Sequence, residues 1–441
     1  MSVLSKIKGS FYLNIIQIFS VVSINLILVK KFGVENLDIY YYLQVVFQLL
    51  FFATSSVLFN SLLSLKKNLK NELIFLTFLF LLLSPIILFI NYSGDLFNLD
   101  DKNISLFNSM FFLWLIRGYV HYLLNSLKLY NINRFTKIEI IELSIVCILF
   151  FVLSFESIVS YIYLMTSSKF FMLLLLFYNI EWKKQIEKYS YLIYFKNFII
   201  LYISNFTGYI YSFSERTFLL NLDTGILTLF TLAQKFVNPV TSIISGSNNL
   251  IVIFKTQLKE NNKFLKSILS FNINISISIS IILILIVDFL PQFLFDFISI
   301  KPLQKNTFII ITKFLIISIP FSSAIVIYKK YLLGAGQIKL ISIMSFISAL
   351  LQLIMLVSLP INGVYKIITL LAITTIIICL VFHTLIFNFS YYKINLFLWT
   401  IFITFSLILD QFWLSLISGL LILIYNINEV FTQKNKLQLI E

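Results

Sequence analysis

Charge is scarce in this chain, and the little there is leans to one sign. Only 12% of the 441 residues are Asp, Glu, Lys or Arg, against about 25% in an average soluble protein. That shortage excludes an ordinary water-soluble domain with a charged shell. Cysteine is rarer still. Cys147 and Cys379 are the only two, both inside apolar runs and far apart, which excludes a disulfide framework or a thiolate metal centre. His121 and His383, the only histidines, are as widely separated and lack metal-ligand spacing. No Gly-rich phosphate loop (GxxxxGK followed by Ser or Thr) is present, and no polar stretch could make a separate nucleotide-binding or catalytic domain. ATP-driven transport by this chain alone is therefore not expected. Neither a GxSxG elbow nor a persuasive Ser–His–Asp order occurs. The composition predicts no cofactor, no metal and no enzymatic chemistry.

Apolar residues fill the space that charge leaves, at 59% of the chain. A membrane-spanning helix needs about 20 of them in a row. The runs at 10–31, 37–64, 71–92, 104–130, 138–155, 157–180, 192–221, 224–254, 265–290, 307–333, 338–359, 362–390, 395–409 and 412–427 predict about 14 spans. The last two are short, and twelve spans with one re-entrant pair is the alternative. The first run is too long for a signal peptide and lacks a small-residue cleavage site. An all-α polytopic membrane protein is the expected fold class.

The gaps between runs alternate in charge. Every second gap is basic: Lys6 and Lys8; Lys66, Lys67 and Lys70; Lys128, Arg134 and Lys137; Lys183, Lys184, Lys188 and Lys196; then Lys255, Lys259, Lys263 and Lys266. Lys329, Lys330 and Lys339, Lys393, and Lys434 with Lys436 complete the series. These are 22 of the 33 basic residues. The gaps between them are short or acidic, with Asp95, Asp100, Asp101, Glu156, Asp223, Asp288, Asp296 and Asp410. Basic loops stay on the cytoplasmic side, so both termini are expected there, in a bacterial inner membrane. The net charge of +14 then points to anionic lipid headgroups as partners rather than nucleic acid.

Two halves echo each other. The turn Lys31-Phe32-Gly33 … Asp38 returns as Asn221-Leu222-Asp223-Thr224-Gly225, and the loop 128–135 returns near 331–339, six spans later each time. A parallel repeat of this kind encloses a central cavity in rocking transporters. The expected division is a six-helix N-terminal lobe (1–190), a six-helix C-terminal lobe (191–393), and an extra helix pair with a cytoplasmic tail (394–441).

Five basic residues fall inside or at the edge of spans: Arg117, Lys169, Arg216, Lys235 and Lys366. A charge at mid-bilayer costs about 2.5–3.5 kcal/mol on insertion scales, so such residues face a wet cavity, pair with an acid, or snorkel. Arg117, with His121 a turn further on, could pair with Glu139 and Glu142; a structural ion pair between helices is the competing reading. Lys169, behind Ser167 and Ser168, is either a cavity or a snorkelling residue, and Lys366 is expected to snorkel. Arg216, next to Glu215, and Lys235, beside Gln234 and ahead of Asn238 and Pro239, are more telling. Pro239 is expected to kink its helix, and a lysine on a polar, kinked helix suits a phosphate or pyrophosphate. A structural role for Lys235 is the bland alternative.

Four segments resemble the multidrug/oligosaccharidyl-lipid/polysaccharide (MOP) exporter superfamily, most closely its lipid II flippase branch. They are Phe32-Gly33 … Asp38; Asn133-Arg134-Phe135; Gly225 … Leu232-Ala233-Gln234-Lys235-Phe236 with Pro239; and Tyr331 to Gln337. The resemblance implies that Lys235 stands where the family has a cavity arginine facing the substrate's pyrophosphate. It places Asp38 at an acidic turn and Glu215-Arg216 near a frequent acid–base pair. Ile24-Asn25 stands where the branch has Arg-Asp, and Gln234 replaces an acid. The implied function is a flippase for a polyprenyl-pyrophosphate-linked oligosaccharide, an O-antigen or capsule repeat unit or lipid II. It would work as a monomer beside glycan polymerase or ligase machinery. The expected substrate-binding residues are Lys235, Arg216, Arg117, Gln234 and Asn238, with Glu139, Glu142, Glu215 and Asp38 as coupling or structural acids. A cation-coupled drug or metabolite antiporter of the same superfamily is the alternative, and it would need buried acids.

Overall fold

A computed structural model of the protein describes residues 20–48, 111, 113, 114, 116, 120, 132–152, 157–177, 191–238, 240–241, 262–288, 301–361, 363–386, 399 and 417–426. Helices are the only regular elements among these residues. In chain order they are α1 (20–32), α2 (Val34–Phe47), α3 (Ile132–Val152), α4 (Ile158–Phe177), α5 (Tyr191–Leu220) and α6 (226–238). Then come α7 (Asn262–Asp288), α8 (Pro302–Ile317), α9 (Ile319–Gly334), α10 (Ile338–Ser358), α11 (Val364–Ile386) and α12 (Ile417–Asn426). Helix is the expected outcome for apolar backbone in lipid, because each N–H and C=O is satisfied inside its own segment. Even the strand-like alternation of Asn272–Ser280 lies in α7.

Ile158–Leu175, Leu269–Val287, Ile338–Ser358 and Val364–Phe382 are each long and apolar enough to cross a bilayer, which makes this a multi-pass membrane protein. The run 307–333, expected as one span, is instead two helices meeting at Ser318 with a 42° bend. The reason is Pro320: it lacks the N–H that would bond to the carbonyl four residues back, and its ring crowds that turn.

The helices pack as local pairs joined by longer-range contacts. The hairpin α3–α4 is one such pair; α7 lies along α9 and α8; α10 runs the length of α5; α11 touches α8, α9 and α10. One face of α10 carries Ile343, Phe346, Ile347, Leu350, Ile354 and Val357, all exposed. Their helical spacing makes a single apolar stripe suited to lipid. Across the sequence, α2 packs against α5, and three consecutive tyrosines of α2 explain how it is held. Tyr40 meets Tyr161 of α4 edge-on at 6.4 Å, Tyr41 bonds to α1, and Tyr42 meets Phe213 of α5 at 5.8 Å. Because successive residues turn by about 100°, one short run reaches three neighbours.

Candidate functional site

The site begins where α1 turns into α2. Gly33 has φ 77 and its N–H closes α1 onto the Val29 carbonyl at 2.8 Å. One turn later sits Asp38, buried at 6% exposure. Its carboxylate crosses to the start of α6, 187–190 residues away. Oδ2 accepts the Gly225 N–H at 2.6 Å, and Oδ1 accepts the Thr228 N–H at 2.7 Å and the Thr228 hydroxyl at 2.6 Å. Gly225 is the residue before α6 and has no side chain to cap it. Asp38 therefore does from another helix what an N-cap side chain does locally, and the positive end of α6 favours its charge.

Gly225 is glycine for two reasons. Its φ is +91, and a Cβ there would come within 2.9 Å of Val34 Cγ1 and 3.1 Å of Gln304 Nε2. Three helices thus close on one turn. Outside this knot, Lys301 Nζ meets Glu35 Oε1 at 3.1 Å, both exposed.

Lys235 lies seven residues beyond Thr228. Two helical turns bring it back to nearly the same face, about 10 Å further along α6. Both Lys235 and Gln234 are half-buried, and Asn238 is exposed. The neighbouring face of α6 is tied to α5 by Arg216. Its Nη1 donates to Thr231 Oγ1 at 3.1 Å, its Nη2 donates to Gln234 Oε1, and its guanidinium lies over the Phe230 ring at 4.9 Å. Glu215 Oε2 stands 3.9 Å from Arg216 Nε, and Glu215 Oε1 accepts the Tyr211 hydroxyl at 3.2 Å. Arg216 and Glu215 are both buried, so the arginine is committed to α6 as well as charged. Of the expected binding set, Arg216 and Gln234 bond to each other, Lys235 is the next residue along α6, and Asp38 bonds to Thr228 near the start of the same helix.

Glu142 is a separate matter. It pairs with Lys169 at 2.7 Å and accepts the Ser168 hydroxyl at 2.7 Å, inside the α3–α4 hairpin. The pairing expected of Arg117 involves a residue outside the described ones, while Lys169 is thereby an ion-pair partner of Glu142. The hairpin brings the two within reach, since both lie near mid-helix on facing sides. Glu139, one turn back, is half-buried. Arg117, His121 and Pro239 lie outside the described residues. Lys366 places its ammonium 5.7 Å from the centre of the Phe218 ring, a cation–π contact. In α1, Asn25 accepts the Tyr41 hydroxyl at 2.7 Å and donates to the Val21 carbonyl at 2.6 Å. This is a neutral, satisfied pair.

Sequence reading missed Thr228, Thr231 and Lys313. The two threonines show no signal on their own, since only the fold brings Asp38 and Arg216 to them. Lys313, buried at 8% in α8, was visible as a charge inside an apolar run and should have joined the other five. Apart from these residues, an apolar groove of ≈ 320 Å³ opens between α7 and α12, lined by Ile281, Ile282, Leu285, Ile286, Gly419, Leu420 and Leu423.

No family model matches this chain, and neither does any curated protein sequence. Solved structures do. A lipid II flippase MurJ in an inward closed conformation superposes with a TM-score of 0.71 at 16% identity, over 98% of this chain and 99% of that one. An outward-facing multidrug resistance MATE family transporter of the MOP superfamily gives 0.62 at 12% identity, over 88% and 95%. A Vibrio cholerae MATE transporter gives 0.62 at 12%, over 87% and 97%. At such identities the likeness shows the fold: this chain is built as MurJ and the MATE transporters of the MOP superfamily are built.

Proposed function

We propose that this protein is a flippase that carries a polyprenyl-pyrophosphate-linked oligosaccharide across the inner membrane by alternating access. The observation that carries the reading is the pairing of Asp38 with the start of α6, with Lys235 two turns deeper on nearly the same face. A closure between early and late helices stands above a cation. With basic loops taken as cytoplasmic, this reading puts the Asp38 end on the outer side, where its bonds to α6 act as a closure. Lys235 binds the pyrophosphate as a point charge; Arg216, Gln234 and Asn238 complete the polar wall, with Arg117 as a further cation. The polyprenyl tail stays in lipid, and the groove between α7 and α12 is shaped for it. Separation of Asp38 from Gly225 and Thr228 opens the outer side, and no covalent bond changes. Membrane potential, worth about 2.3 kcal/mol per charge per 100 mV, suffices to bias such a cycle.

Of the buried acids, Glu142 is engaged by Lys169 and Glu215 stands beside Arg216. This favours an anionic cargo. The test is mass spectrometry of lipid-linked glycans after depleting the protein from its native cell. A polyprenyl-pyrophosphate oligosaccharide is expected to accumulate, and Lys235→Ala is expected to fail to clear it while inserting at normal abundance. If no lipid-linked glycan rises, the reading fails and a cation-coupled drug or metabolite antiporter takes its place.

A further inference from the structure

Every residue of α9 from Ile319 to Leu333 is buried or half-buried; none is exposed. This helix has no exposed apolar stripe of the kind that α10 carries. One side of α9 is sealed by neighbours. Tyr328 stacks on Phe382 of α11 at 6.1 Å, and Ser323 bonds Ser276 of α7 at 2.8 Å. The other, half-accessible side carries Ser322, Val326, Lys329 and Lys330, at the three- and four-residue spacing that aligns side chains along a helix.

The two lysines differ from the remaining cations. Lys169 has Glu142, Lys301 has Glu35, and Lys366 has the Phe218 ring. Lys137, Lys196 and Lys339 are exposed, as loop lysines on a basic face should be. Lys329 and Lys330 are neither: they are half-buried and adjacent, and among the described residues neither makes a hydrogen bond or an ion pair. The C-terminal dipole of α9 favours cations near its end, but it would favour them as well in the open, where Lys339 is. Two like charges held together away from bulk water call for a counter-ion carrying at least two negative charges.

Their position along the chain fits a route. Lys301, at the start of α8, touches Glu35 beside the Asp38 closure. From there to Lys329 the path through α8 and α9 is about 40 Å at 1.5 Å per residue, bent by 42° at Ser318. That exceeds the roughly 30 Å of a bilayer's hydrocarbon core, so the lysine pair lies at the opposite face. Lys235 lies between the two ends.

We propose that Lys329 and Lys330 form a first-contact site for the diphosphate of the lipid-linked substrate, at the end of the bundle opposite Asp38, from which the headgroup passes to Lys235. The inference rests on the flippase reading above. It names a diphosphate ester rather than a monophosphate or a general anionic lipid, because two half-buried cations on consecutive residues of α9 are balanced by a group carrying two or more negative charges.

The test uses the full chain in nanodiscs of phosphatidylcholine, titrated with undecaprenyl diphosphate, undecaprenyl monophosphate or phosphatidylglycerol, with binding read by native mass spectrometry. Wild type is expected to prefer the diphosphate. K329Q/K330Q should weaken diphosphate binding about tenfold, K329R/K330R should keep it within about threefold, and the exposed-lysine control K339Q should leave it unchanged. If the glutamine pair does not fold, K329Q and K330Q singly carry the test, each expected to cost about threefold. Unchanged diphosphate binding in the glutamine variants overturns the site and leaves the flippase reading standing. An equal loss of phosphatidylglycerol binding overturns it too, by marking a general lipid surface. A wild-type chain that binds no polyprenyl diphosphate overturns the flippase reading and this site with it.

Discussion

Two buried carboxylates in this molecule are satisfied in opposite ways. Glu142 meets an ammonium, Lys169, from the adjacent helix of its own hairpin. Among the described residues Asp38 meets no cation; it takes three neutral donors from Gly225 and Thr228, nearly two hundred residues away. Separating the first pair leaves two opposite charges stranded in a low-dielectric interior. Separating the second leaves one charge, which water can reach at the end of the bundle, and donors that water can satisfy. The ion pair suits a joint that stays shut, whereas the capped helix end suits one that opens and closes. Charge is used here to hold a hairpin, and backbone polarity to hold a junction between distant parts.

The largest effect expected from breaking this contrast is on stability, at Glu142. Removing one partner of a buried ion pair typically costs about 3–5 kcal/mol, and Lys169 is 20% exposed, which argues for the lower end. Glu142→Gln should lower the melting temperature of the detergent-solubilised protein sharply. The double variant Glu142→Gln/Lys169→Met should recover much of the loss. If Glu142→Gln melts as wild type, the pair is not the rivet described here. Next comes Asp38→Ala, which removes bonds to a charged group worth about 1.5–3 kcal/mol each in favourable cases. Its signature is conformational. In a cysteine-free background, spin labels at Asn36→Cys and Asn306→Cys, both exposed positions on the two sides of the junction, should move to longer distances by pulsed EPR. A distance distribution unchanged by Asp38→Ala would mean that the packing of α2 on α5 holds this end closed without it.

Much of this was legible in the sequence, and the limits have physical causes. The spans at 192–221, 265–290, 338–359 and 362–390 fall within a few residues of α5, α7, α10 and α11, because apolar runs in lipid leave the backbone no alternative to helix. The break at Ser318 was also readable, from Pro320 inside a polar Ser-rich step, but a continuous apolar run hid it. Asp38 was visible as an acid in a tight turn. Its partner was not, since a threonine in an apolar helix carries no mark until the fold brings an acid to it. Lys169 and Glu142 were both flagged, yet pairing is a question of which helices face each other, and periodicity alone does not decide that.

A third prediction sharpens the contrast at Gly225. Gly225→Ala adds a methyl group 2.9 Å from Val34 Cγ1 at a φ of +91. The added crowding and backbone strain should cost about 1–3 kcal/mol, and should open the Asn36–Asn306 distance as Asp38→Ala does. Adding Val34→Ala relieves the clash but not the φ, so it should restore closure only in part. Full restoration would show that space, and not conformation, requires glycine there.

The smallest effect is expected at Lys301 and Glu35, which join the same two regions by an exposed ion pair. Water and salt screen such pairs, and their usual worth is about 0–1 kcal/mol. Lys301→Gln should therefore leave the melting temperature and the label distances close to wild type, with any difference vanishing at high salt. This is the sharpest form of the comparison, because the pair sits beside Asp38 and bridges helices even more distant in sequence. If Lys301→Gln opened the junction as far as Asp38→Ala, a screened surface pair would be carrying the closure. The case for backbone capping as the switchable joint would then fall. If it does not, long-range position alone does not make a contact a latch; burial against a helix end does.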